Sequence, residues 1–235
     1  MRYAIYYTPP ADDPLTRRAA HWLGRDAMSG ESQAQPVSEV FSETMFSELT
    51  ADPRRYGFHA TMKAPFELAP GKSEASLVSA FEEFASGTPA FTLPELVLGQ
   101  LGRFFALVPE NWDPSLQILA DDCVTRFDSF RAPLSDADLA RRKPDALSES
   151  QRKNLIDWGY PYVFEEFRFH MTLTAQVEPA DQPAMRQAIE QHFAGLVPAP
   201  RPIEHLALFV EPERGAPFRL MHIVPLAEAA RRKTA

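Results

Sequence analysis

The chain carries a histidine and a threonine at the same spacing twice, in His59–Thr61 and in His170–Thr172, which are 111 residues apart (170 − 59). Each copy follows an aromatic stretch of extended character, Tyr56–Phe58 and Phe167–Phe169. Because side chains alternate between the two faces of a strand, each His and its Thr are expected on one face. Two facing imidazoles could act as general base and general acid, which hydrolysis of a phosphodiester by water requires.

The same alternation places one cation on each polar face. Lys63 follows Thr61 by two residues, and Arg168 precedes His170 by two. Hydroxyl and cationic donors of this kind suit the oxygens of a tetrahedral phosphate. The predicted site therefore has catalytic His59 and His170, phosphate-binding Thr61 and Thr172, and substrate-binding Lys63 and Arg168.

The elements around the two motifs also repeat, in the order strand, helix, strand, strand. The first set has a strand at 57–63 ended by Pro65, a helix at 73–85 and strands at 91–98 and 103–108. The second set has a strand at 167–175, a helix at 181–193 and strands at 203–210 and 218–224. The repeat predicts an α+β fold of duplicated antiparallel-sheet lobes. We expect one bilobal domain, 1–235, with the His59 lobe mainly in 1–112 and the His170 lobe mainly in 163–227.

Residues 135–162 have no counterpart in the first half and are interpreted as an insertion near the groove between the lobes. The insertion contains a basic run at 141–143 and a predicted helix at 148–158. Outside the repeat we also predict a strand at 3–7, a helix at 15–25 capped by Asp12 or Asp13, and a helix at 114–130. Five residues are candidates for recognising the rest of a substrate: Tyr56, Arg141, Arg142, Trp158 and Tyr160.

Composition narrows the classes of partner. The chain has 24 basic and 32 acidic residues, a net charge of −8, which weighs against broad polyanion binding and favours a small phosphorylated substrate over RNA. Cys123 is the single cysteine, so an intrachain disulfide is impossible; we expect no metal site and no cofactor. There is no bilayer-length apolar run and no apolar leader, so we expect no membrane contact and a cytoplasmic location. The oligomeric state is left open.

The paired His-x-Thr motifs resemble the 2H phosphoesterase superfamily, which includes RNA ligase-like cyclic phosphodiesterases. Residues 55–66, 158–163 and 166–174 are similar to the DUF1045 branch, described as phosphonate-metabolism proteins. The resemblance implies a bilobal α+β fold with pseudo-two-fold symmetry and a central cleft. It also implies that His59 and His170 are catalytic and that Thr61 and Thr172 bind phosphate.

The expected function is metal-independent hydrolysis of a cyclic phosphodiester of a small ribose phosphate or nucleotide, with a role in phosphonate metabolism. One alternative is an enzyme that opens or ligates RNA ends with a 2′,3′-cyclic phosphate. Another is a non-catalytic nucleotide-binding module, which the matched His pair disfavours. A metal hydrolase is disfavoured because the chain has no His-Glu-x-x-His segment. The symmetry of the two motifs does not assign base and acid, and four other histidines lack this context: His21, His192, His205 and His222.

Overall fold

In the computed structural model, which describes residues 1–228, eight strands form one antiparallel sheet in the order β6-β3-β4-β5-β2-β1-β7-β8. The strands are β1 (Arg2–Tyr7), β2 (Ala60–Phe66), β3 (Phe91–Leu101), β4 (Phe104–Pro109), β5 (Met171–Thr172), β6 (Ala199–Ile203), β7 (His205–Glu211) and β8 (Arg219–Pro225). The α+β class with antiparallel pairing is thus confirmed.

Each helix follows a Ser, Thr or Asp, the residue types typical of the position before a helix. They are α1 (Pro14–Leu23), α2 (Glu43–Leu49), α3 (Ala51–Tyr56), α4 (Glu74–Gly87), α5 (Pro114–Phe127), α6 (Asp136–Arg141), α7 (Glu149–Trp158) and α8 (Gln182–His192), with short 3-10 turns at Asp128–Phe130, Pro144–Ala146 and Phe164–Glu166. Asp13 caps α1 with Pro14 at its first position, and Gly24 ends it in the left-handed conformation. Ser73 caps α4 through a capping box with Ser76. Side chains and glycines thus satisfy backbone groups that a helix end leaves unpaired.

The two faces of the sheet have different surroundings. In β1, Tyr3, Ile5 and Tyr7 enter the main core, which contains the apolar sides of α1, α4, α5 and α8. The alternate residues Ala4 and Tyr6 join a much smaller apolar cluster on the other face. Burying one face under helices leaves the other free to carry polar groups and a cavity.

The halves of the sheet do not follow the lobe bounds 1–112 and 163–227. Strands β3 and β4 come from the first of these ranges, yet β4 pairs with β5 beside His170. Strands β7 and β8 come from the second, yet β7 pairs with β1 on the His59 side. The pair β3-β4, which follows the first motif, thus lies beside the second motif strand β5, and the pair β7-β8, which follows the second motif, lies on the side of β2. The sheet therefore consists of the halves β6-β3-β4-β5 and β2-β1-β7-β8, which meet where β5 pairs with β2.

Strand β2 starts and ends later than the sequence predicts. Residues 51–56 form α3, so the strand begins at Ala60, and it continues through Pro65 to Phe66. The prediction that Pro65 ends the strand is wrong. Among the described residues β5 pairs with β2 only at Ala60, so the missing N–H of Pro65 faces no partner strand on that side.

Strand β5 is far shorter than the predicted strand at 167–175. Its ladder stops because Leu173 and Thr174 both donate their N–H groups to the carbonyl of Phe105. The Thr174 hydroxyl accepts the N–H of Phe105 in place of a backbone carbonyl. Strand β6 is a second difference: it contains Pro200 and Pro202, yet it pairs at the edge of the sheet, where proline is tolerated. Over residues 1–228, every helix is too short or too polar to cross a bilayer.

Candidate active site

The two motif strands are neighbours at the centre of the sheet. Their middle residues, Ala60 and Met171, pair in antiparallel register. Continued by one residue in each direction, this register places each histidine opposite the threonine of the other motif. Opposite residues in such a ladder have Cβ atoms about 4.5–5.5 Å apart, and diagonal neighbours about 7–8 Å apart. In that register the two imidazoles are diagonal neighbours, and both line one cavity.

The same backbone tether orients both imidazoles. Nδ1 of His59 lies 2.8 Å from the carbonyl oxygen of Gly57, and Nδ1 of His170 lies 2.7 Å from that of Arg168. A carbonyl only accepts, so Nδ1 donates in each case and Nε2 is left for chemistry. Nε2 of His59 is 3.2 Å from Oγ1 of Thr61, which can donate to it. In this arrangement a neutral His59 presents an unprotonated Nε2.

The surroundings of the two rings differ. The Tyr6 ring stacks on His59 with centroids 3.8 Å apart, because Tyr6 pairs with Thr61 across β1 and β2. His170 instead has Phe104 at 5.8 Å in a tilted arrangement. Burial lowers the pKa of His59 to about 4, and the nearby His170 lowers it further. Burial also lowers the pKa of His170. Both rings are thus held neutral, and His59 is the more enclosed of the two.

The four motif side chains line one cavity of about 420 Å³. Its walls contain cationic, aromatic and hydroxyl groups, as expected for a phosphorylated ligand. The lining residues are Arg2, Tyr6, Arg55, Tyr56, His59, Thr61, Ala64, Pro65, Arg141, Arg142, Tyr160, His170 and Thr172. The structure thus brings together both catalytic candidates, both threonines and four of the candidates for substrate recognition.

Sequence reasoning did not single out Arg2 or Arg55 as site residues. Both guanidinium groups bind the fully buried carboxylate of Glu211, Arg2 through Nε at 2.5 Å. The shared carboxylate fixes two cations at the cavity wall, and Arg55 also lies over the Tyr56 ring at 5.0 Å. A signal for Arg2 was present, since it alternates with Ala4 and Tyr6 on the cavity face of β1. Arg55 lies at the end of α3, which the sequence did not reveal.

The insertion contributes a wall of the cavity. Arg141 ends α6 and Arg142 follows it, with the Arg142 guanidinium over the ring of Tyr160 at 4.9 Å from its centroid. Arg141 pairs with Asp138 at 2.8 Å. Trp158 packs edge-on against Phe164 and lines an adjoining compartment rather than the histidine cavity. Residues 135–162 thus place two arginines and one tyrosine beside the histidines.

The two cations predicted from strand alternation lie elsewhere. A register irregularity between the pairs Ile5–Lys63 and Tyr6–Thr61 turns Lys63 towards α5, where its Nζ donates to the carbonyl of Val124 at 3.0 Å. The prediction that Lys63 shares the face of His59 is therefore wrong, because a bulge breaks the two-residue period. Arg168 is exposed and lines an aromatic compartment that shares Thr61, Tyr160 and His170 with the histidine cavity.

The remaining histidines lie outside the cavity. His21 and His192 stack on each other at 5.4 Å, and His222 pairs with Glu82 at 2.8 Å. Within residues 1–228, no group of three or more His, Cys, Asp or Glu side chains is placed to hold a metal ion. Independence from metal and cofactor stays a prediction for measurement.

The fold and the cavity define an α+β protein with two His-x-Thr pairs in an arginine-lined cleft. A family model described as "Protein of unknown function (DUF1045)" matches residues 61–219, and the chain belongs to that family.

Two curated relatives have the same name, "Ribose 1,5-bisphosphate phosphokinase PhnN". The protein from Janthinobacterium sp. (strain Marseille) is 41% identical over 230 residues, which is 96% of this chain and 51% of the relative. The protein from Laribacter hongkongensis (strain HLHK9) is 38% identical over 229 residues, 97% of this chain and 53% of the relative. The chain spans about half the length of these relatives.

Two solved structures show distant similarity. E. coli LigT complexed with 3′-AMP has a TM-score of 0.43 and 15% identity, with 96% of this chain and 98% of that chain covered. TT0787 of Thermus thermophilus has a TM-score of 0.45 and 14% identity, with 97% and 99% covered. Neither similarity bears on the reaction.

Proposed function

We propose that this protein is a phosphoesterase that hydrolyses a cyclic phosphodiester of a small ribose phosphate or nucleotide, with His59 and His170 as its acid–base pair and no cofactor. The proposal rests on two imidazoles that line one cavity beside the paired starts of β2 and β5, each tethered through Nδ1 to a carbonyl two residues earlier. Both Nε2 atoms are therefore available to one substrate in the shared cavity. A binding module has no need for two oriented proton carriers.

In the proposed reaction, neutral His59 acts as the base. Its Nε2 takes a proton from water, and the water oxygen forms a bond to phosphorus while one ring P–O bond breaks. Protonated His170 gives its proton to the departing ribose oxygen, and the product is an open phosphate monoester. The assignment follows from the stacked Tyr6 and the pKa of His59 near 4, which keep that ring unprotonated. Each proton transfer typically contributes about 10²- to 10⁴-fold in rate.

The walls of the cavity suit the charge that develops. Thr61 and Thr172 flank the histidines and can donate hydroxyl hydrogens to the non-bridging phosphate oxygens. Arg2 and Arg55, held by Glu211, supply fixed positive charge at the same cavity. Burial lowers the pKa of His170, and the negative charge of a bound phosphodiester favours its protonated form again. Substrate binding therefore helps to bring the acid into its working state.

The names of the relatives support a phosphorylated ribose as the substrate class. Both are named for ribose 1,5-bisphosphate, and this chain matches about half of each. The chain contains no Gly-x-x-x-x-Gly-Lys-Ser/Thr segment, so we carry over the substrate class and not the kinase reaction. A role in phosphonate metabolism, implied by the sequence resemblance, remains part of the proposal.

A nucleotide substrate is the second candidate, and a specific compartment favours it. A space of about 510 Å³ shares His170 with the histidine cavity and has aromatic walls that include Phe104, Tyr162 and Phe167. A base could stack there while its cyclic phosphate reaches the histidines. RNA ends with a 2′,3′-cyclic phosphate belong to the same class of ligand.

The test is turnover of three substrate groups in the presence of EDTA: ribose cyclic phosphates, 2′,3′-cyclic nucleotides and short RNA with a cyclic end. We expect ring opening of a ribose cyclic phosphate that persists in chelator. Preference for a cyclic nucleotide or RNA end would support the second candidate. No turnover of any group would contradict the proposed function, and loss of activity in EDTA would contradict its independence from metal.

A further inference from the structure

A second, smaller compartment adjoins the histidine cavity. The two share Arg2, Arg141, Arg142 and Tyr160 as common walls. The second compartment has a volume of about 70 Å³. Since a water needs roughly 10–15 Å³ of such space, it holds a handful of water-sized atoms. That size suits one phosphate group better than a sugar or a base.

The compartment has an unusual charge for this chain. Two carboxylates line it, those of Glu67 and Asp138. Six cations also line it: Arg2, Lys63, Arg131, Arg141, Arg142 and Arg214. Their ion-pair partners also include Glu211 and Asp128. Because Glu211 is included, its second partner Arg55 is counted as well. The group then has seven cations and four carboxylates, a formal excess of three positive charges (7 − 4). The whole chain has a net charge of −8.

Lys63 is the most deeply placed of these cations. Only 3% of its surface is exposed, and its ammonium group has Val124 O at 3.0 Å and Asp128 Oδ1 at 3.4 Å. Burial lowers its pKa to about 8, while Asp128 raises it less. A buried charge with incomplete pairing is costly. An anion in the compartment would stabilise the charged form of Lys63.

Arg142 is placed to connect the two compartments. It makes no ion pair among residues 1–228, and its guanidinium rests on the Tyr160 ring. Arg214, in contrast, lines only the smaller compartment and binds Asp138 at 2.6 Å and Glu67 at 2.7 Å. Arg142 could contact a ligand in either compartment, whereas Arg214 could contact a ligand only in the smaller one.

We propose that the substrate carries a second phosphate, a monoester, which binds in this cationic compartment while the cyclic diester lies between the histidines. This inference rests on the proposed function. It narrows the substrate class to cyclic phosphodiesters of a sugar that has a terminal phosphate, and the product class to sugar bisphosphates. Recognition is by charge-assisted hydrogen bonds from guanidinium groups to phosphate oxygens.

The test compares ribose 1,2-cyclic phosphate with and without a phosphate on its 5-hydroxyl, measured as the ratio of the two kcat/KM values. We expect the wild type to favour the phosphorylated compound at least 10-fold. Arg142→Gln and Arg214→Gln should each lower that ratio by about 10- to 100-fold, the effect of a lost hydrogen bond to a charged group. The control is Arg126→Gln, an exposed arginine paired with Glu83 outside both compartments, which should leave the ratio unchanged.

A ratio near one in the wild type, or an unchanged ratio in both variants, would overturn the second phosphate site while leaving the histidine mechanism intact. If neither compound is hydrolysed, the proposed function fails, and calorimetry still decides the subsite. Ribose 5-phosphate should then bind at least 10-fold more tightly than ribose, and Arg214→Gln should remove most of that difference. Equal binding of the two sugars, or no change in the variant, would refute the subsite.

Discussion

The strands of the two histidines differ in length and in what surrounds their rings. Strand β2 has seven residues and lies between β1 and β5, and Tyr6 of β1 covers the His59 ring. Strand β5 has two residues, and His170 contacts Phe104 at a greater distance beside an open aromatic compartment. The tether through Nδ1 is the same on both sides. A shared motif can thus orient two rings alike while the neighbouring strand sets a different proton affinity for each.

The largest effect is expected from removing either ring. His59→Ala and His170→Ala should each lower kcat by about 10²- to 10⁴-fold, because each removes one proton transfer. Steady-state kinetics on the best cyclic substrate measures this, with circular dichroism to check folding. His222→Ala, which changes a partly exposed histidine paired with Glu82, is the matched control and should keep wild-type rates. Near-wild-type activity in either active-site variant would refute the paired mechanism.

The threonines are expected to matter less than the histidines. Thr61→Val and Thr172→Val keep the shape of the side chain and remove its hydroxyl. Each should lower kcat/KM by about 10- to 100-fold if the hydroxyl binds a charged phosphate oxygen. Thr61 also contacts Nε2 of His59, so its variant should show the larger loss. The exposed Thr92→Val is the control, and equal activity of all three variants would exclude a role in phosphate binding.

Removing the Tyr6 ring that stacks on His59 should reduce the difference in pKa between the two histidines. Tyr6→Leu opens the site of His59 to water, so the pKa of that ring should rise from about 4 towards 6.5. The acid limb of the kcat/KM profile should move up with it by at least one pH unit. Tyr6→Phe keeps the ring and should keep the limb near pH 4. An unmoved limb in Tyr6→Leu would show that the stack does not set the proton affinity.

The smallest effect concerns stability. The folded-state pKa of His59 lies below its unfolded value, so the unfolded chain binds more protons between about pH 6.5 and 4. The free energy of unfolding should therefore fall by about 1–3 kcal/mol as pH is lowered through that window. Urea titrations at several pH values measure it. His59→Gln should reduce the dependence of the unfolding free energy on pH more than His170→Gln does. The reverse order would contradict the deeper burial of His59.

Much of the secondary structure follows from local sequence. The predicted helix at 15–25 corresponds to α1, and the helix at 73–85 to α4, because caps and apolar spacing act within a few residues. Helix α3 was missed because charged residues and Pro53 obscure its pattern, and β6 because its prolines are tolerated only at an edge. The exchange of strand pairs between halves depends on contacts between distant segments, which local pattern does not specify.

The residues of the candidate site were likewise predictable only where the local pattern determines their position. The period of two places His59 with Thr61 and His170 with Thr172, and all four line one cavity. The same period fails at Lys63, where a bulge turns the side chain away. Arg2 and Arg55 reach the cavity from β1 and α3 through a shared partner 209 and 156 residues away in sequence. Such pairs arise only when the sheet has formed.

The most direct test of the account is a titration of both imidazoles by NMR, in the free protein and with a bound phosphate. We expect His59 to titrate near pH 4 and below His170, and bound phosphate to raise the pKa of His170 so that its protonated form persists at neutral pH. A His59 that titrates at or above His170 in the free protein would contradict the assignment of base and acid.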